Sequence, residues 1–166
     1  MNIRQQLKKM KAVLLDLLYK LQSREEPTPE KSDSLLKEWA TAIKEFEGWY
    51  PNSRSYRNNN PGNLRYSKFQ AGTEDNFSYF ETYEEGWNGL LFQLRIAADG
   101  RSNIYSPDMM LFNVHYDPNQ RKSASNRPGF FQVYAPGSDN NHPKTYAEFV
   151  ARRIGVPVTA RIKNLV

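Results

Sequence analysis

The feature that most constrains this chain is residues 46–66, FEGWYPNSRSYRNNNPGNLRY, where an amphipathic run stops at a glutamate and a glycine and an asparagine-rich turn follows. Upstream, Leu35, Leu36, Trp39, Ala42, Ile43 and Phe46 fall on one face at helical spacing, with Ser34 available as an N-cap and Gly48 able to end the helix. Placing successive residues about 100° apart puts Glu47 beside Leu36, Ala40 and Ile43, at the edge of the apolar arc, while Glu38 and Glu45 project to the opposite, lysine-bearing side. A carboxyl on a buried edge is desolvated, its ionised form is disfavoured, and its pKa moves towards the range of a general acid. Glu47 is therefore the candidate catalytic residue of this helix. The turn beyond it, Asn60-Pro61-Gly62-Asn63, is shaped by a proline that fixes φ and a glycine that permits positive φ, and a plain turn does not require the two further asparagines, Asn58 and Asn59, before it.

A chain of 166 residues is long enough for one domain with a sizeable core. Three segments are expected: an amphipathic helix over 1–22, a linker over 23–33 and a globular domain over 34–166. In the first, Ile3, Leu7, Met10, Leu14, Leu17 and Leu21 form a heptad seam. It reads either as a self-association or docking helix, with membrane-surface contact through Lys8, Lys9 and Lys11, or as a helix packed on the domain. Asp16 and Lys20 interrupt its apolar run and no small-residue cleavage site follows, so it is a poor signal peptide and too charged to span a bilayer. Residues 23–33, SREEPTPEKSD, carry two prolines and no large apolar residue, as linkers do.

Within the domain, residues 66–82 place Phe69, Phe77, Tyr79 and Phe80 around Ala71-Gly72-Thr73, which predicts a short β-hairpin with a glycine turn. It offers Glu74, Asp75 and Glu81 as candidate second carboxylates, or as ordinary solvated hairpin charges. Thr82 and Glu85 have capping-box spacing and announce a helix with Trp87, Leu90, Leu91, Leu94 and Ala98 as its stripe, ended by Gly100. Ser106-Pro107-Asp108 predicts another helix start. Phe130, Phe131, Val133 and Tyr134 read as a strand-like run, and Pro143 opens a last helix carrying Tyr146, Phe149, Val150, Arg153 and Ile154. His115 and His142 have no metal-ligand spacing and the chain has no cysteine, so no metal site is expected and disulfides and thiol chemistry are excluded.

Glu-Gly-Trp at 47–49, Arg-Asn-Asn-Asn-Pro-Gly-Asn-Leu-Arg at 57–65 and Tyr-Ala-Pro-Gly-Ser-Asp-Asn-Asn at 134–141, ahead of a tyrosine-bearing helix, resemble the lysozyme-like superfamily. More narrowly they look like phage and bacterial peptidoglycan lytic transglycosylases, including virion-associated bacteriolytic ones. The resemblance covers residues 34–166 and implies a mainly α, α+β lysozyme-like fold, with a helical domain and a small β-hairpin beside the cleft. It implies Glu47 as acid and base, substrate-binding roles for Asn58, Asn59, Asn60, Asn63, Arg65, Tyr134, Asn140 and Tyr146, and no metal or organic cofactor. Tyr134 reads equally as a core tyrosine, and Asp139 stands where the resemblance leads one to expect glutamate.

The implied activity is cleavage of the β-1,4 bond between N-acetylmuramic acid and N-acetylglucosamine with a single glutamate. The alternatives are a hydrolytic muramidase using a second carboxylate, or a non-catalytic cell-wall-binding or virion structural protein. A formal charge of +5 suits an anionic partner. Peptidoglycan strands are expected rather than nucleic acid, because the basic residues form no dense block and no nucleic-acid motif appears. Synthesis in the cytoplasm and action at the bacterial wall, after release by phage or within a particle, follow as the expected location.

Overall fold

The computed structural model describes residues 29–166, apart from 122, 124 and 125. The chain divides into two compact units, 1–31 and 32–166. The predicted heptad helix lies outside the described residues, as do positions 23–28 of the predicted linker. The remainder of that linker is helical: α1 runs Pro29–Phe46 and so starts well before the Ser34 cap that the sequence suggested. Proline is pre-set for a first helical turn, and Glu30 complements the positive end of the helix dipole. Ser34 is consequently inside the helix, where its hydroxyl donates to Glu38 rather than capping an end.

Helix α1 buries Leu36, Trp39, Ala40, Ala42 and Ile43 in the core. It ends in a Schellman arrangement: Trp49 N donates to Lys44 O, Gly48 N donates to Glu45 O, and Gly48 takes a left-handed φ of 74° that glycine accepts without strain. Glu47 is thereby held at the C-terminal end of α1 by a hydrogen bond from its own N–H to Ile43 O at 2.9 Å. A short helix α2, Arg54–Arg57, follows, with Ser53 accepting from Tyr56 N as its cap.

Strands β1, Gly72–Glu74, and β2, Phe77–Tyr79, pair antiparallel in the register Gly72 to Tyr79 and Glu74 to Phe77. The predicted glycine turn at 71–73 is incorrect. Gly72 is a strand residue, and the reversal is made by Asp75 and Asn76, both at positive φ (51° and 66°), the backbone that a two-residue hairpin turn requires.

Helix α3, Tyr83–Ala98, carries the expected reciprocal capping box between Thr82 and Glu85, and it buries Leu90, Leu94 and Ala97. Two expectations fail after it. No helix follows Pro107, because Leu111 N donates to Ala160 O, Phe112 N to Val158 O, and Ile162 N to Met109 O. The C-terminal segment has taken the backbone groups a helix would have used. Conversely, the strand-like run at 130–134 is helix α4, Phe130–Tyr134. Gln132 Oε1 accepts from both Gly129 N and Asn113 N, which satisfies the start of this turn and ties it to the preceding loop.

Helix α5, Pro143–Arg153, has proline in its first turn as expected and buries Tyr146, Ala147, Val150 and Ala151. A 3-10 turn, Ile162–Leu165, seals the core with two fully buried side chains. The described residues form a mainly helical α+β unit with one two-stranded hairpin, and none of their helices is long and apolar enough to cross a membrane.

Candidate active site

Glu47 is gripped at both carboxylate oxygens. Asn63 Nδ2 donates to Oε2 at 2.8 Å, and the Tyr146 hydroxyl donates to Oε1 at 2.8 Å. Burial raises its pKa above the ordinary carboxylate value, while the bonds from Asn63 and Tyr146 and the charge of Arg54 oppose the rise. The negative end of the α1 dipole acts in the same direction as burial. Glu45, two residues away, is a surface residue whose carboxylate pairs with Arg153 at 3.0 Å. The helical phase thus separates the two glutamates as the sequence indicated.

The tyrosines that surround Glu47 are built in from α4 and α5. The Tyr146 ring lies between Phe46 and Phe131, stacked at 3.9 and 4.3 Å between centroids, so its hydroxyl is aimed by packing. Tyr134 stacks on Phe130 and donates its hydroxyl to Gly62 O. Burial and the nearby Glu47 charge push both phenols well above their usual pKa, so both remain protonated donors.

The Asn60-Pro61-Gly62-Asn63 turn is closed by Asn63 N to Asn60 O at 2.9 Å. Gly62 does not have the positive φ that the sequence suggested. A side chain there would displace its neighbours for another reason: a Cβ would lie 2.7 Å from Leu90 Cδ1 and 3.0 Å from the Tyr134 hydroxyl. Close approach, rather than backbone conformation, favours the glycine.

Asn60 is fully buried, accepts from Leu64 N, and donates to Leu64 O and Ser78 O. Asn59 donates to Phe80 O and Glu81 O, clamping the turn to the segment after β2. Asn58 is buried, with its backbone carbonyl accepting from Phe80 N. None of the three lines the cleft where substrate contacts were expected of them. Asn63, next in the run, does reach it and bonds the candidate acid.

The cleft itself has a volume of about 570 Å³. Its lining includes Glu47, Asn63, Arg65 and Tyr134, four of the residues expected from the sequence. Tyr146 lies behind Glu47 as its donor rather than on the wall. Asn140 is the left-handed cap of the 3-10 turn Gly137–Asp139 and does not line the cleft; its neighbours Asp139 and Asn141 do. Glu74, Asp75 and Glu81, the candidate second carboxylates, are exposed on or beside the hairpin and none lines the cleft, as solvated hairpin charges would be placed. The carboxylate that shares the cleft with Glu47 is Asp139, paired with Arg65 at 2.8 Å.

Arg54 and Phe77 also line the cleft, and sequence reasoning missed both. Arg54 Nε donates to Asn63 Oδ1 at 3.2 Å, which sets the orientation of the amide so that its NH₂ faces Glu47. No periodicity marks Arg54, because its position depends on how the loop after α1 folds back. A second cavity of about 600 Å³ shares Ile104, Tyr105 and Val133 with the first, so the two adjoin and extend the groove beyond Glu47. His115 and His142 line neither.

Comparison of the chain with family models, with curated proteins and with solved structures finds no match in any of the three.

Proposed function

We propose that this protein is a glycosidase of the lytic transglycosylase type, cleaving the β-1,4 bond between N-acetylmuramic acid and N-acetylglucosamine in peptidoglycan. The observation that carries the reading is the setting of Glu47: a carboxyl on the wall of a cleft, with its pKa raised by burial and each oxygen held by one donor. A group that must first give a proton and then receive one needs both properties. Burial favours the acid, and two aimed donors stabilise the carboxylate once it forms.

Protonated Glu47 gives its proton to the glycosidic oxygen as the C1–O bond breaks, and positive charge develops at C1 and the ring oxygen. The Glu47 carboxylate, stabilised by Asn63 and Tyr146, then accepts the proton of the muramoyl 6-hydroxyl as that oxygen attacks C1. A 1,6-anhydro ring forms, the proton returns to Glu47, and no water is consumed. Asn63, Arg65, Asp139 and Asn141 supply polar groups along the same wall, and Tyr134 offers a ring.

Asp139 favours one second reading, hydrolysis, because it is another carboxylate on the cleft wall and a hydrolase uses such a group to hold water or an intermediate. A non-catalytic wall-binding protein would retain the cleft without turnover. Digestion of purified peptidoglycan by the wild-type chain and by Glu47→Gln tests the proposal. The variant should lose about 10²-fold or more of the activity. Equal clearing by both proteins, or none by either, removes the catalytic role of Glu47.

A further inference from the structure

Two guanidinium groups stand on the cleft wall beside Glu47, organised by one ring. Arg54 Cζ lies 3.5 Å from the Phe77 ring centroid and Arg65 Cζ lies 4.8 Å from it. All three residues line the same cleft. Arg54 uses its Nε on Asn63 and forms no ion pair among the described residues, so its terminal nitrogens are available as donors. Arg65 has one nitrogen on Asp139, in a pair whose side chains are 58% and 38% exposed. An ion pair that open to solvent contributes little and yields readily to a competing anion.

Stacking on an aromatic face restrains a guanidinium before any ligand arrives, which lowers the entropy lost on binding. A planar fork fixed in this way matches a carboxylate bidentately. Arg54 is also joined to the candidate acid through a single residue: Asn63 accepts from Arg54 with one amide atom and donates to Glu47 with the other. A ligand anion on Arg54 therefore sits next to the scissile position rather than at a remote surface.

We propose that Arg54 and Arg65, organised on Phe77, form a carboxylate-binding subsite beside Glu47, so that the cleft selects a glycan bearing a carboxylate near the scissile bond over a neutral glycan of the same backbone. The inference rests on the reading of Glu47 as a glycosidase acid. In peptidoglycan the carboxylate comes either from the lactyl substituent of the sugar or from the peptide attached to it. Chitin oligosaccharides carry the same acetamido groups and neither carboxylate, and so provide the matched neutral ligand.

The test is a calorimetric titration of the full chain carrying Glu47→Gln, which prevents turnover, with three glycans of equal length: stem peptides intact, peptides removed to free the lactyl carboxylate, and chitooligosaccharide. At least one charged glycan should bind roughly tenfold more tightly than the neutral one. The preference should weaken with added salt, while neutral binding changes little. Adding Arg54→Gln and Arg65→Gln should bring charged and neutral affinities to within about twofold. Tighter binding by only the peptide-bearing glycan assigns the carboxylate to the peptide; tighter binding by the peptide-free glycan assigns it to the lactyl group. Equal affinity for charged and neutral glycans, binding of none, or a preference that survives both arginine substitutions overturns the subsite. Glu47-dependent cleavage by the wild-type chain is scored separately, so the subsite can fail while the glycosidase reading stands.

Discussion

The Tyr146 hydroxyl donates to Glu47 Oε1 at 2.8 Å, joining residues 99 positions apart. The tyrosine ring is held by Phe46 and Phe131, so Tyr146→Phe deletes the donor and preserves the packing. That hydrogen bond favours ionised Glu47. Without it the acid form should persist to higher pH, and the alkaline limb of the pH–rate profile should move upward. The maximal rate should fall about tenfold, since the carboxylate produced in the first step loses one charge-assisted hydrogen bond worth roughly 1.5 kcal/mol. A pH–rate series on peptidoglycan reads both effects.

Glu47 also sets a stability signature. Its pKa is raised in the fold, mainly by burial, so the native state holds the proton more tightly than the unfolded chain. The stabilisation from that proton is fully present below the unfolded pKa and is lost as pH rises through the folded one. Above that window the wild type carries a buried charge that Glu47→Gln lacks. Melting temperatures taken across pH should show the variant more stable at neutral and alkaline pH, with the gap closing as acid protonates Glu47 in both states. A gap that widens on acidification would mean that burial does not dominate at Glu47.

Gly86 should tolerate no side chain. A Cβ there would lie 1.7 Å from Asn59 O and 3.1 Å from Pro61 Cδ, pressing on the backbone that carries the turn. Gly86→Ala is expected to cost about 3 kcal/mol or more, because a backbone carbonyl cannot move aside as a flexible side chain can. Gly137→Ala, whose Cβ would enter open space, serves as the control and should stay within about 0.5 kcal/mol of wild type. Denaturant unfolding measures both.

The carboxylates near the hairpin make a further contrast. Glu74→Gln, Asp75→Asn and Glu81→Gln should each retain activity within about twofold, as surface changes away from the cleft do. Asp139→Asn should release Arg65 and alter saturation by substrate more than turnover, if the cleft uses Glu47 alone. A loss of turnover in Asp139→Asn comparable with Glu47→Gln would favour the hydrolytic reading. Steady-state kinetics on soluble glycan fragments separate the two.

What the sequence made legible was local. The capping box of Thr82 and Glu85, the apolar stripe of Leu90 and Leu94, and Gly48 after Glu47 are each dictated by residues within a turn of one another, and all appear as expected. The separation of Glu47 from Glu45 follows from helical phase alone. The errors arose where a distant segment decided the outcome. Pro107 marks a helix start only when the following backbone groups are free, and residues 158–162 take them. The apolar run Phe130–Tyr134 fits a strand or a helical turn equally, and the Gln132 side chain, bonded to Asn113 N, goes with the turn. Asn59, Asn60 and Asn63 are the same residue type, but only tertiary packing distinguishes two amides that tie backbone segments together from the one that reaches the cleft. Arg54 was hidden for the same reason, its role being set by Asn63 and Phe77 rather than by neighbours in sequence.

Mass spectrometry of the soluble products from purified peptidoglycan, with the wild-type chain and Glu47→Gln digested in parallel, tests whether Glu47 drives anhydro-ring formation. Transglycosylase action yields muropeptides ending in a 1,6-anhydro ring from the wild type and almost none from the variant. Products bearing an added water would contradict the transglycosylase mechanism, and an undigested wild-type sample would contradict the proposed function of the cleft.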